Sequence, residues 1–126
     1  MIVIGSIQMP SKTKHIEQYL KNKKLANTNI LKQVEYMDWR IVVIFYAAMH
    51  YVDSSYANVM HPTTHKSRKN FLQNSIQYKE ILDDYENLEM LSRKSRYDCI
   101  KIKQRDITDA LDNLSVIEKF VGEHFA

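Results

Sequence analysis

The sequence predicts an all-α protein, an antiparallel up-and-down bundle of four long helices and one short one. Three observations carry this reading. Only two Gly and two Pro occur in 126 residues, where ordinary usage gives roughly nine and six, so turns are scarce and elements long. The stretch Asp38 to Met60, DWRIVVIFYAAMHYVDSSYANVM, is apolar or aromatic without interruption from Ile41 to Met49. A helix that is apolar nearly all round is a central, buried helix. Finally, Ile107, Leu111, Leu114, Ile117, Val121 and His124 repeat at spacings of 4, 3, 3, 4 and 3, the stripe of an amphipathic helix.

Residues 1–10, MIVIGSIQMP, hold no charge and read as an apolar N-terminal arm. The arm lacks the basic start and the length of a signal peptide. It reads either as a loosely docked terminus or as a segment that pairs with a neighbouring chain. Residues 11–126 read as a single helical-bundle domain. Pro10 and Ser11 open the first helix, with Ile16, Leu20, Asn27, Ile30, Leu31 and Val34 as its imperfect stripe. Asn22, Asn27 and Asn29 weaken helix propensity, so a break is expected between Ala26 and Ile30.

The second helix is expected over about Met37–Val59, with Asp38 as N-cap and Trp39 beginning its apolar face. A buried strand over Ile41–Met49 is the competing assignment. Apolar content continues through Tyr51, Val52, Tyr56 and Ala57 at helical spacing with no Gly or Pro between, which favours the helix. His61-Pro62-Thr63-Thr64 punctuates the chain. Either His61 or Thr64 is a candidate cap for a short third helix ending near Ser75, and Pro62 suits a first helical turn. The fourth helix, about Gln77–Asp98, carries Ile81, Tyr85, Leu88, Ser92 and Ser95 or Arg96 on one face. Its acidic start and basic end complement the helix dipole. In the fifth helix Asp106 is the candidate cap, and Gly122 fits termination.

Composition restricts the function classes. A formal charge of +3 does not by itself imply nucleic acid. No stretch reaches the roughly 18 apolar residues of a membrane span. The single cysteine, Cys99, can form no internal disulfide, so a reducing, cytoplasmic setting is expected. The chemistry is concentrated on the central helix. Tyr46, His50, Asp53 and Ala57 stand at i, i+4, i+7 and i+11 and so share one face. A polar line on a buried helix must be paired, because an unpaired buried polar group costs roughly 2–7 kcal/mol. A His50–Asp53 hydrogen bond is one candidate pairing. Arg96, which continues the apolar face of the fourth helix, is a candidate partner for Asp53.

The stretches DWRIVVIFYAAMHYVDSSYA, HPTTHKSR and YENLEMLSRKSRY resemble the small bacterial and archaeal branch of the HEPN superfamily, the higher eukaryotes and prokaryotes nucleotide-binding bundles. The matching features are a Trp and an aromatic pair before His-x-x-Asp, a His-x-x-Arg loop, and a Tyr-containing helix ending in Ser-Arg-x-x-Arg-Tyr. The resemblance covers about Asp38 to Tyr97. It implies an up-and-down bundle, a homodimer, and a link to RNA or nucleotides. By position it nominates His50, Asp53, His65, Arg68, Arg93, Arg96 and Tyr97. The superfamily's ribonucleases use an Arg followed four to six residues later by His. Arg40, Arg68, Arg93, Arg96 and Arg105 all lack that His.

Three functions are weighed. The first is a HEPN-like RNA- or nucleotide-binding protein, either a metal-independent endoribonuclease or a degenerate, non-catalytic relative. In it His65 moves a proton, His50 and Asp53 orient groups, and Arg68, Arg93, Arg96 and Tyr97 hold phosphate. No cofactor is needed, because a substrate 2′-hydroxyl serves as nucleophile. The basic runs Lys12–Lys32 and Arg93–Arg105 would follow the backbone. The second is a dimeric, antitoxin-like scaffold that binds a protein partner through the apolar arm and its many tyrosines. The third is a metal site built from His50, Asp53, His61 and His65, for which no Glu-x-x-His or His-Glu-x-x-His repeat is present.

Overall fold

A computed structural model describes residues 10–98 and 100–125. The apolar arm, apart from Pro10, and Cys99 lie outside the described residues. Among the described residues the chain forms five α-helices and no strand. They are α1 (Lys12–Ala26), α2 (Met37–Tyr56), α3 (His65–Asn74), α4 (Lys79–Arg96) and α5 (Gln104–Phe125). A short 3-10 turn, Val34–Tyr36, leads into α2. Helix α2 packs against α1, α4 and α5, α4 packs against α5, and α3 rests on α4.

Polar contacts show which way the helices run. His15 meets His50 while Ala26 meets Arg40, so α1 and α2 are antiparallel. Arg96 meets Tyr46 while Tyr78, at the start of α4, meets Ser55, so α2 and α4 are antiparallel. Asn87 donates to Asn113 at 2.6 Å, and His124 approaches Glu80, so α4 and α5 are antiparallel too. This is the expected up-and-down bundle. None of the described helices is long and apolar enough to cross a membrane.

Helix α2 is the central element. Ile41, Ile44, Phe45, Ala47, Ala48 and Val52 are wholly buried. Burying such side chains yields about 25 cal/mol per Å² of apolar surface removed from water. The core continues through Leu72 of α3, Ile81, Tyr85 and Leu88 of α4, and Ile107, Leu114, Ile117 and Val121 of α5.

Several local expectations are corrected. Helix α1 stops at Ala26 as expected, but its buried face is His15, Tyr19 and Ala26. Leu20, Ile30 and Val34, placed in its stripe, are exposed. The stripe failed because α1 docks through aromatic and polar groups: Tyr19 stacks on Tyr51 and donates to Glu118, and Lys23 also reaches Glu118. Asp38 lies inside the first turn of α2 rather than capping it, and Trp39 is 59% exposed. Pro62 stays in the loop, and Thr64 caps α3 in a reciprocal capping box with Ser67. Asp106 sits in the first turn of α5 and accepts from the Lys103 backbone N–H at 2.9 Å. Gly122 does not end α5, which runs on to Phe125.

Candidate functional site

Two side-chain groups lie along the polar line of α2. The first lines a cavity of about 270 Å³ at the end of the bundle where α1 begins and α2 ends. His15, His50, Asp53, Tyr56, His61 and Arg68 all face it. Each arrives by a local device. Ser11 caps α1 by accepting from the Lys14 N–H, which sets the first turn that carries His15. The unbroken helix of α2 places His50 and Asp53 one turn apart. The Thr64–Ser67 capping box starts α3 so that Arg68, one turn on, turns back towards α2.

Asp53 is buried and doubly engaged. The Arg68 Nε–H donates to both of its oxygens, at 3.1 and 3.0 Å, and the Tyr56 hydroxyl donates to Oδ1 at 2.6 Å. The ion pair is shielded, with side-chain exposures of 4% for Asp53 and 13% for Arg68. Asp53 therefore pairs with Arg68, not with Arg96. Arg96 instead donates to the Tyr46 hydroxyl and to the Ser92 carbonyl. Burial and the neighbouring Asp53 push the Tyr56 hydroxyl's pKa far up, so it stays protonated and remains a donor. The Nη groups of Arg68 have no hydrogen-bond partner among the described residues.

His50 does not hydrogen-bond Asp53. Its Nδ1 meets the Nδ1 of His15 at 3.1 Å. Burial is the main cause that lowers both imidazoles below the ordinary 6.5; for His50 the proximity of His15 adds to it. Both rings are therefore neutral at pH 7. One Nδ1 carries the shared hydrogen and the other accepts it, so the two rings are opposite tautomers. Their Nε2 atoms then differ as well: one offers a lone pair and the other an N–H.

The second group surrounds Tyr46, one turn before His50. His65 packs beside Phe45 and Tyr46, with its Nδ1 buried and unpaired among the described residues. Burial first, then the charges of Arg68 and Arg96, lowers the proton affinity of His65. The Arg96 guanidinium lies 5.9 Å from the centre of the Tyr46 ring and 4.9 Å from that of Tyr97. Arg93 stands nearer the surface and approaches Glu89 at 3.8 Å, while Lys69 holds the same carboxylate at 3.1 Å.

Of the residues expected to act together, His50, Asp53 and Arg68 meet at the cavity. His65 and Arg96 gather around Tyr46, exposed Tyr97 lies against Arg96, and Arg93 stands apart. The proposed metal quartet is divided: His65 does not line the cavity that His50, Asp53 and His61 share. Among the described residues no group of three or more His, Cys, Asp or Glu side chains is placed to hold a metal ion. His15 was missed altogether. The available signal was the run His15, Tyr19 and Ala26 at i, i+4 and i+11, a helical face outside the aliphatic stripe. In comparisons with protein-family models, with curated proteins and with solved structures, no match to this chain is found.

Proposed function

We propose that this chain is a HEPN-like, cytoplasmic RNA-binding protein that cleaves single-stranded RNA without a metal, using the cavity between α1, α2 and α3. The observation that supports it most is the meeting of a neutral imidazole pair with a partly unengaged arginine. In this reading the Nη groups of Arg68 hold the phosphate, with Asp53 and Tyr56 fixing the guanidinium plane. The imidazole with the unprotonated Nε2 takes the proton of the substrate 2′-hydroxyl. The 2′-oxygen bonds to phosphorus as the bond from phosphorus to the 5′-oxygen breaks. The proton crosses the Nδ1–Nδ1 contact, and the partner imidazole gives its Nε2 hydrogen to the departing 5′-oxygen. A cyclic 2′,3′-phosphate results, and the two rings have exchanged tautomers. The role first given to His65 passes to His15 and His50, because they face open space beside Arg68.

The test is cleavage of a fluorogenic single-stranded RNA by the purified protein, with and without chelator. Positioned acid–base groups contribute about 10²–10⁴-fold, so His15→Gln and His50→Gln should each lose activity on that scale, and chelator should have no effect. His65→Gln should retain activity. Loss of cleavage in chelator would move the reaction to a metal. Absence of both cleavage and RNA binding in a folded protein would leave the scaffold reading in its place.

A further inference from the structure

The polar line of α2 continues past Tyr46 to Trp39. Trp39 precedes His50 by eleven residues, so the two share a face within about 20° and lie roughly 16 Å apart along the helix. Trp39, Val42, Asp38, Ser95 and Arg96 line a second cavity of about 270 Å³, where the start of α2 meets the end of α4. Three features set it apart from the exposed apolar residues elsewhere. Trp39 is the only tryptophan in the chain and leaves more than half its surface to solvent. The Arg96 guanidinium beside it is held by the Tyr46 hydroxyl and the Ser92 carbonyl, and lies over the rings of Tyr46 and Tyr97. The Ser95 hydroxyl is buried and has no partner among the described residues.

We infer that this cavity is a nucleobase subsite, in which one base of a single-stranded RNA stacks on Trp39 while the strand's phosphates follow Arg96. The inference rests on the RNA reading above and adds a second point of attachment to it. Indole and guanidinium planes both stack on bases, and an aromatic platform bordered by cations is how single strands are held without regard to sequence. The Ser95 side chain forms part of the cavity wall, with its hydroxyl buried and unpaired among the described residues. Asp38 is the one carboxylate of the lining, and Lys101 lines the neighbouring cavity that shares Asp38 and Ser95 with this one. A protein partner would use the exposed indole equally well, but it would leave the fixed guanidinium and the unpaired hydroxyl without a purpose.

The test uses an eight-residue 2′-O-methyl oligoadenylate, which lacks the nucleophile and so cannot be cleaved through it, and an abasic strand of the same length. Emission from Trp39 reports the site directly. The oligoadenylate should quench it and the abasic strand should not. Trp39→Leu should weaken oligoadenylate binding, read by anisotropy of an end label, by about 5- to 150-fold. It should leave abasic binding unchanged, and Arg96→Gln should weaken both strands. Equal binding by wild type and Trp39→Leu, with unaltered Trp39 emission, overturns the subsite while leaving the RNA reading intact. Conversion of a dimer to a monomer by Trp39→Leu, with oligoadenylate affinity preserved, overturns it in favour of a self-association surface. Failure of both strands to bind wild type overturns both readings.

Discussion

Replacing Arg68 with Met should destabilise the protein by about 3–5 kcal/mol. The substitution keeps most of the side-chain volume and removes the cation. Asp53 would then stand 4% exposed beside a single remaining donor, Tyr56. Removing one partner of a buried ion pair leaves an uncompensated charge, which is the source of that magnitude. At about 2.1 cal/mol/K per residue, 126 residues unfold with an entropy of roughly 0.26 kcal/mol/K. The expected fall in melting temperature is therefore about 11–19 °C. Urea unfolding followed by circular dichroism at 222 nm measures the free energy directly. The same experiment on Asp53→Asn/Arg68→Met isolates the cause, because the double variant has no orphaned charge and should be more stable than Arg68→Met alone. A loss below about 1 kcal/mol for Arg68→Met would refute the argument. So would a double variant whose loss equals the sum of the two single losses.

Three further outcomes follow from the packing. Tyr85→Phe and Tyr56→Phe should act oppositely. The Tyr85 hydroxyl is buried without a partner among the described residues, so its removal should be neutral or stabilising, whereas Tyr56→Phe breaks a bond to a carboxylate and should cost about 1.5–3 kcal/mol; denaturation midpoints that fall equally in the two variants would contradict this. Thr64→Ala removes the capping box of α3 and should cost about 0.5–2 kcal/mol, with amide exchange accelerated in α3 and unchanged in α5. Stability should fall as pH drops below about 6.5, because His15, His50 and His65 bind protons more weakly folded than unfolded, so the unfolded chain gains protons first. Their contribution is complete above the unfolded value and is lost below it. Urea midpoints at pH 7.5 and 5.0 should show a smaller drop for His15→Gln/His50→Gln than for wild type, and an equal drop would sink the assignment.

The helices were legible wherever burial follows an aliphatic period. The stripe of α5 and the face Ile81, Tyr85, Leu88 and Ser92 of α4 match the buried residues, except that Leu111 is half-buried and His124 exposed. Helix α1 was misread because its apolar residues point outward and its inner face is a histidine, a tyrosine and an alanine. Such a face is defined by its neighbours and not by hydrophobicity. The candidate site was half legible. His50 and Asp53 stood out because they interrupt an apolar helix, and Arg68 as the cation of the His-x-x-Arg loop. The pairings were not legible, since both close over distance: His15 reaches His50 across 35 residues, and Arg68 reaches Asp53 through a turn whose direction the capping box sets. Arg96 was the attractive wrong partner for Asp53. It continues a core-facing row, yet it emerges two turns of α2 away, at Tyr46.

Helix α1 supplies half of the imidazole pair but only one residue, Ala26, to the main core. It is tied to the rest by the Tyr19–Tyr51 stack, the Glu118 contacts, the Arg40–Ala26 hydrogen bond and the bond from Lys12 to the Phe125 carbonyl. Most of these ties are polar, and the Arg40–Ala26 bond and Tyr19 are buried. Helix α1 nonetheless packs more extensively on α2 than any other helix does, so lifting it away would uncover one face of the central helix. Detachment of α1 would be a sub-global opening that leaves α2, α4 and α5 in contact with one another. In that open form His50 loses its tautomeric partner and the cavity loses one wall, while the Asp53–Arg68 pair stays in place. How firmly this one helix is docked would therefore set the fraction of molecules in which the imidazole pair is assembled.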